Sequence, residues 1–502
     1  MAFEKQGIGS SGTDGALMSI LAIDAGTTGV TVLVVSENGT ITSRGYAEFE
    51  QHFPQPGWVE HEPEQIWQAV IRATRQALNT SEDIRAIGIT NQRETLVVWD
   101  RKDLSAPRKA IVWQDRRTSQ IVERLSKHNE KIQEKTGTGL DPYFTSTKLV
   151  WLRENEPAVW AKIESGEFAI GTVDSYLVAR LTGGTVHITD ASNASRTQLC
   201  DISTGQWDQE LLDIFGVPRQ ALPEIVPNFG LLATTDPSQF LGISAPITGM
   251  AGDQQAALFG QTAFDTGDSK CTYGTGAFYL TNTGSKRISS KNGLLTTIAW
   301  QEPDGTLTYA LEGSVFVAGS AVQWLRDGLK IIRESRDVET LANQVQDSGG
   351  VVFVPALTGL AAPWWNSEVR GTIFGISRGT TDAHIARATL EAVAFQVADL
   401  ATAMEQDLGQ KLQTLRVDGG MSQNNLLMQI QSDVLGTRIE RGKVIETTAL
   451  GAAYLAAIGV GIFSSMSELK NAWQLEKSFE PDLTAINRDV WTKAVEAAIA
   501  FK

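Results

Sequence analysis

The chain has 502 residues, and its 43 Lys and Arg against 58 Asp and Glu give a formal net charge of −15. With 42% hydrophobic and 20% charged residues it can fill substantial cores, which excludes a disordered or collagen-like chain. The acidic balance argues against a general nucleic-acid binder, which needs a basic footprint. Length alone predicts roughly three domains, or two large ones.

Two cysteines, Cys200 and Cys271, cannot make a disulfide framework or a four-ligand zinc site. The five histidines are scattered without metal-ligand spacing. No apolar run reaches the length of a membrane span, and Ala16–Ile23 lacks a cleavage site and stops at Asp24. A soluble cytoplasmic protein is the expectation. Residues 1–17, rich in Gly and Ser before a second methionine at Met18, read as a loose extension.

In chain order, Ser19–Ile23 is a strand, Asp24–Gly29 a turn and Val30–Val35 a second strand. Glu37–Gly39 then turns into a short third, so the region reads as a β-meander. A helix is predicted over Glu62–Leu78, with Pro63 in its first turn and Ile66, Val70, Ile71 and Ala77 as an apolar stripe. Strands follow at Ile84–Thr90 and Thr95–Trp99. The second half opens with the same device: strand Ser269–Tyr273, turn Gly274–Gly276, strand Ala277–Thr281. Asp382–Gln406 has helical apolar spacing, and Thr414–Val417, Asp418–Gly420 and Asn424–Leu435 read as strand, turn and helix. Thr448–Phe463, rich in Gly and Ala, reads as a closely packed helix. The repeated hairpin divides the chain into two α/β domains, 18–260 and 261–502, with a ligand cleft between them.

Asp24-Ala-Gly-Thr-Thr28 offers backbone N–H groups and two hydroxyls without bulk, as phosphate oxygens require. An Asp at the strand end can hold Mg²⁺ directly or through water. An ordinary turn uses the same residue types, but Gly274-Thr-Gly276 supplies a second tip that could clamp a nucleotide tail from the other side. At Asp418–Asn425, glycines would let a flat group lie on the backbone, and Asn424 can either cap a helix or bind a ligand. Asp253, beside Gln254 and Gln255, could accept a proton from an attacking hydroxyl. Arg93 and Glu94 together can donate to and accept from a small polyol, although a surface ion pair looks the same in sequence. Trp113 and Tyr143 could wall a carbon face or simply pack in a core.

Set in order, these segments resemble the FGGY family of carbohydrate kinases, which phosphorylate sugars and polyols, and within it the members that act on glycerol. The resemblance runs from about Leu21 to Phe479 through Phe53–His61, Ile87–Thr95, Asp190–Thr197, Ala251–Gly260 and Asn292–Ile298. It implies two actin-like (ribonuclease H-like) domains with a hinged cleft, the first binding polyol and the second nucleotide. It also implies ATP and Mg²⁺ as cofactors, transfer of a phosphoryl group to glycerol, and a homo-oligomer (dimer or tetramer). By the same resemblance Asp253 is the base, and Arg93, Glu94, Asp253 and Gln254 hold the hydroxyls. Trp113, Tyr143 and Phe278 then wall the carbon side. Thr27, Thr28 and Thr275 contact phosphates, Asp24 lies near Mg²⁺, and Gly319, Gln323, Gly420 and Asn424 line the nucleoside pocket.

This sequence departs from the family where Gly29-Val30-Thr31 stands in place of Ser-Ser-Arg, removing a phosphate-contacting Arg at position 31. Family segments tied to inhibition by fructose 1,6-bisphosphate and by a sugar-transport regulatory protein are not apparent around Gln239–Pro246 and Pro481–Arg488. Neither inhibition is expected. Two other readings are weighed: a kinase for another polyol or ketose, against which Arg93-Glu94 argues, and a non-catalytic nucleotide-binding relative. Asp24 and Asp253 together argue against the latter, since a binding module needs no base.

Overall fold

The strands β1 (Met18–Ala25) and β2 (Gly29–Ser36) fold back on each other antiparallel, with Asp24 opposite Thr31, and β3 (Ile41–Glu48) continues the meander. The structure, a computed structural model, describes residues 18–78, 83–366, 368–482 and 488–501. The expected extension over residues 1–17, and 483–487 of the C-terminal segment, lie outside the described residues. Helix α1 (Pro63–Ala77) turns Ile66, Val70, Ala73 and Ala77 onto one face of this sheet. β4 (Asp83–Asn91) then pairs parallel to β1.

The strand expected at Thr95–Trp99 is found at Val97–Asp100, outside the main sheet, where it pairs with Phe168–Gly171. The reason lies just before it: Glu94 sits in the left-handed region at φ 59°, so the chain turns sharply out of β4's plane. Helix α2 (Thr145–Asn155) belongs to a satellite cluster through Leu149, Val150 and Leu152. β5 (Phe229–Thr234) and β6 (Pro246–Gly252) complete a six-stranded sheet of order β5-β6-β4-β1-β2-β3, and α3 (Asp253–Gly260) starts directly at the end of β6.

The second half repeats the plan. β7 (Ser269–Tyr273), β8 (Ala277–Gly284), β9 (Leu295–Gln301) and β10 (Leu307–Val315) form antiparallel pairs. α4 (Gly319–Asp327) and the long α5 (Asp382–Leu408) lead to β11 (Thr414–Asp418), α6 (Asn425–Leu435) and β12 (Arg438–Gly442). α7 (Thr447–Gly459) and β13 (Leu475–Phe479) close the sheet in the order β9-β10-β8-β7-β11-β12-β13. In both sheets a hairpin's first strand is followed by two parallel neighbours and one antiparallel edge, so β7 answers to β1 and β11 to β4. The weak sequence repeat is a structural one.

α7 explains the Gly- and Ala-rich run. It leaves the second sheet and lies on α3 and on β1, β4 and β6 of the first. A Cβ on Gly451 would stand 1.8 Å from the Ala256 carbonyl oxygen, and one on Gly88 2.1 Å from that of Ala452. The surrounding cluster draws Ala22 and Ala86 from one sheet and Leu280 and Ala310 from the other. Among the described residues no helix is long and apolar enough to cross a membrane.

Candidate active site

Every expected polyol residue converges where β4 and β6 end and β8 begins. The loop after β4 is tied to the end of β1 by Gln92 N–H donating to Ala25 O at 2.9 Å. From it, the Arg93 guanidinium forks onto Glu312 of β10 (2.6 and 2.9 Å), while its Nε meets Asp253 Oδ1 at 3.0 Å. Arg196 donates to Glu94 at 2.7 Å and to Glu312 at 3.2 Å. Two guanidinium groups thus face three carboxylates. Four of these five side chains are buried, and Asp253 alone keeps surface, 28% of its side chain. It is the member of the cluster most open to an incoming hydroxyl.

Electrostatics separate the three acids. Burial opposes ionisation of Glu312, but Arg196 and Arg93 outweigh it and hold the carboxyl at about 2. For Glu94 burial prevails over the same two cations, and its proton affinity rises. Asp253 is also raised, by burial first, with Arg93 pulling it down and Glu312 pushing it up. Glu312 is therefore a fixed anion, and Asp253 a carboxylate moved toward the proton affinity useful in a base.

Gln254, next along α3, accepts at Oε1 from the buried Lys270 ammonium at 2.6 Å. Lysine can only donate, so the amide NH₂ of Gln254 is the group left to meet a hydroxyl oxygen. The aromatic wall is present. Trp113 packs edge-on to Tyr143 at 5.6 Å and to Phe278 of β8 at 6.4 Å, and Arg93 Nη2 reaches the Tyr143 hydroxyl at 3.5 Å.

The two hairpin tips differ in surroundings. In the first, Trp113 Nε1 donates to Thr27 Oγ1 at 2.9 Å, coupling the tip to the aromatic wall, and Thr28 is exposed. In the second, Thr275 O accepts from the N–H groups of Ala318 and Ser320, which brace it against α4. Thr275, Gly319, Gln323, Gly420 and Asn424 all line one cavity of about 390 Å³, together with Val322, Arg336, Glu339 and Met421. Thr27 and Thr28 lie outside that cavity. Gly420 has nothing within 4 Å of the position a Cβ would take, leaving flat backbone for a planar group. Asn424 Oδ1 caps α6 by accepting from Leu427 N–H at 2.8 Å, which leaves the amide NH₂ free to donate to a ligand.

Asp24 ends β1 with its carboxyl pushed up to about 8, by burial first and then by the negative charges of Asp253 and Glu446. Such a concentration of negative charge suits a divalent cation. Among the described residues, however, no group of three or more ligating side chains could hold a metal. A Mg²⁺ ion here would need phosphate oxygens to complete its shell. Glycine at position 29 has a local cause: a Cβ would stand 2.8 Å from the Tyr46 hydroxyl. Thr31 pairs with Tyr46, and on the same strand Arg44 stacks on that ring at 5.5 Å and bonds Glu446 at 2.7 Å. A guanidinium, carried by β3 rather than β2, thus pairs with Glu446.

Two site members have no counterpart in the sequence reading. Glu312 sits alone in an apolar strand, 219 residues from Arg93, and Arg196 lies in a segment noted only for its resemblance. With 0% exposure and Nη1 lacking a partner among the described residues, Arg196 looks in structure alone like a group awaiting a ligand or water.

Two sheets of one plan, a nucleoside-sized cavity on the second and a charged, aromatic-walled site to which both halves contribute define a two-domain actin-like (ribonuclease H-like) kinase fold. The N-terminal domain model of the FGGY family of carbohydrate kinases matches residues 19–260, and its C-terminal domain model matches 269–460. The chain belongs to the FGGY family of carbohydrate kinases. It is 50% identical over 493 residues to a glycerol kinase of Geobacillus sp. (strain WCH70), covering 96% of this chain and 99% of that one. It is 52% identical over 488 residues to a glycerol kinase of Deinococcus radiodurans, covering 95% and 97%. Among solved structures, a Plasmodium falciparum glycerol kinase with ADP superposes with a TM-score of 0.88 at 38% identity, over 96% of this chain and 98% of that one. A Lactobacillus acidophilus xylulose kinase shares the fold, with a TM-score of 0.83 at 23% identity over 97% of each chain.

Proposed function

We propose that this chain transfers the γ-phosphoryl group of ATP to glycerol, giving sn-glycerol 3-phosphate and ADP. The observation that carries the reading is Asp253, the accessible carboxylate of an otherwise buried charge cluster, linked through Arg93 to the Tyr143 hydroxyl of the aromatic wall. Asp253 takes the proton of the attacking hydroxyl as its oxygen bonds to phosphorus. The bond from phosphorus to the β,γ-bridging oxygen breaks, and its electron pair leaves with ADP. Arg93 and Glu94 hold the remaining hydroxyls, Gln254 donates its amide, and Trp113, Tyr143 and Phe278 cover the carbon chain. Thr27, Thr28 and Thr275 lie at the phosphates, and the nucleoside occupies the cavity of Gly319, Gln323, Gly420 and Asn424. Mg²⁺ would be held by Asp24 with phosphate oxygens, and when bound it neutralises the charge of the phosphate chain. Phosphoryl transfer asks mainly for positioning and charge stabilisation, which such a set of groups supplies.

Support comes from the glycerol kinases of similar sequence and from two buried guanidinium groups set beside an aromatic wall. Burial of Cys200 and Cys271 as free thiols agrees with a reducing cytoplasmic setting. A coupled ADP-release assay with MgATP and glycerol, dihydroxyacetone, xylulose or gluconate tests the proposal. Glycerol should give the highest kcat/KM, and preference for a ketose or the acid would refute it.

A further inference from the structure

One fully buried charge near the pocket takes no part in the scheme above. Lys148 lies in the first turns of α2, and its Nζ donates to three successive carbonyls: Pro142 (3.1 Å), Tyr143 (2.6 Å) and Phe144 (3.1 Å). This placement is electrostatically poor. A cation at a helix N-terminus stands at the wrong end of the dipole, and burying it costs more still. An apolar side chain would fill the space without either cost. What the ammonium provides is convergence: three consecutive carbonyls point at one atom only if the backbone is held in one bent conformation. The other side of the bend is tied too, since Asp141 Oδ1 accepts from Tyr143 N–H and from Arg116, both at 2.8 Å. The side chain leaving this bend is Tyr143, whose ring meets Trp113 and whose hydroxyl meets Arg93.

We propose that Lys148 is a positioning residue for the substrate: its ammonium holds the Pro142–Phe144 backbone so that the Tyr143 ring stays in the wall of the polyol pocket. The proposal rests on the glycerol reading of that pocket. A second consequence follows from its surroundings. Burial pushes Lys148 down to about 7, against the pull of Glu94, Asp115 and Asp141 and with the help of Arg116. As pH rises past neutrality the three donors become two, the bend loses one of its three bonds to Nζ, and Tyr143 is held less firmly. Stability moves the other way. A lysine whose folded value lies below its ordinary 10.5 leaves the unfolded chain binding more protons between those limits, so stability rises with pH across that window. A merely structural lysine would make binding follow stability; a positioning lysine makes them diverge.

Steady-state kinetics between about pH 6 and about pH 9, on both sides of the lysine's value, test this with wild type, Lys148→Met and Lys148→Arg. Lys148→Met should raise the KM for glycerol about tenfold, the equivalent of roughly one net hydrogen bond, and leave the KM for ATP unchanged. The wild-type KM for glycerol should climb above neutrality while thermal stability does not fall. Lys148→Arg, which stays charged, should restore the low KM and flatten its profile. An unchanged glycerol KM in Lys148→Met, or an equal rise in both KM values, overturns the proposal. Should that variant fail to fold, a wild-type KM flat with pH, or wild-type and Lys148→Arg profiles that coincide, overturns it. Wild type that does not turn over glycerol refutes the functional reading and this proposal together, whereas a normal KM in an active Lys148→Met refutes the proposal alone.

Discussion

Replacing Asp253 with Asn removes the proton acceptor while keeping the shape of the first turn of α3. The amide can still accept the Arg93 Nε–H at the present 3.0 Å, and Arg93 remains anchored by its fork onto Glu312. The cluster loses one of three negative charges against two positive ones, which relieves rather than strains it, so the fold should hold. Loss of a positioned general base typically costs ~10²–10⁴-fold, about 2.7–5.4 kcal/mol of barrier at 1.36 kcal/mol per decade. A coupled ADP-release assay at saturating glycerol and MgATP should show kcat reduced by that amount, with the KM for ATP little changed. Turnover within tenfold of wild type would remove Asp253 from the role of base.

Glu312→Gln should destabilise the protein by about 3 kcal/mol, since breaking a buried ion pair leaves Arg93 and Arg196 under-compensated; an unchanged urea midpoint would refute this. The same group sets an acid limit. Its carboxyl is held at about 2 against an ordinary 4.5, so its stabilisation is complete above the ordinary value and is lost as pH falls from there through about 2. Acid titration of Glu312→Gln, followed by circular dichroism, should lack that part of the slope. Gly451→Ala should cost about 3 kcal/mol by overpacking, because the new methyl would stand 1.8 Å from the Ala256 carbonyl oxygen; a tolerated methyl in a denaturation series would show that the helices can separate. Asn424→Ala should lose about 1 kcal/mol with its cap and raise the KM for ATP but not for glycerol; equal changes in both would reduce Asn424 to a cap alone.

Much of the architecture is legible in the chain because its signals are local. The hairpin around Gly26–Thr28 and the one around Gly274–Gly276 announce themselves by turn residues between apolar runs, and both stand where expected. The Gly- and Ala-rich run read as a packed helix is α7, since only residues that small allow its backbone to approach β4 and α3 so closely. Less legible is whatever depends on pairing between segments distant in the chain. Arg93 reads as half of an exposed pair with Glu94, yet its partner is Glu312, and Glu94's is Arg196. A lone Glu in an apolar strand carries no local mark of its role, because burial and the facing cations are properties of the assembled sheets. Thr27 is a similar case: its hydroxyl accepts from Trp113, 86 residues away, which no turn motif discloses.

The seam between α7 and the first sheet bears on how the cleft can move. Gly451, Ala452, Ala453, Ala456 and Ala457 are buried there, and such residues have no side-chain rotamers to freeze. At these positions the joint between the two halves orders no side chains, and Leu450, Tyr454 and Leu455 supply its larger buried contacts. Backbone lies nearly on backbone, so sliding α7 along the sheet would drive carbonyls into one another, whereas turning about the line of contact changes few of the distances along it. Such a seam resists sliding more than turning. Asp253, at the start of α3, and Gly420, in the turn after β11, would then move with different halves, and opening the cleft would have to break the bonds by which Arg93 and Arg196 of the first half hold Glu312 of the second.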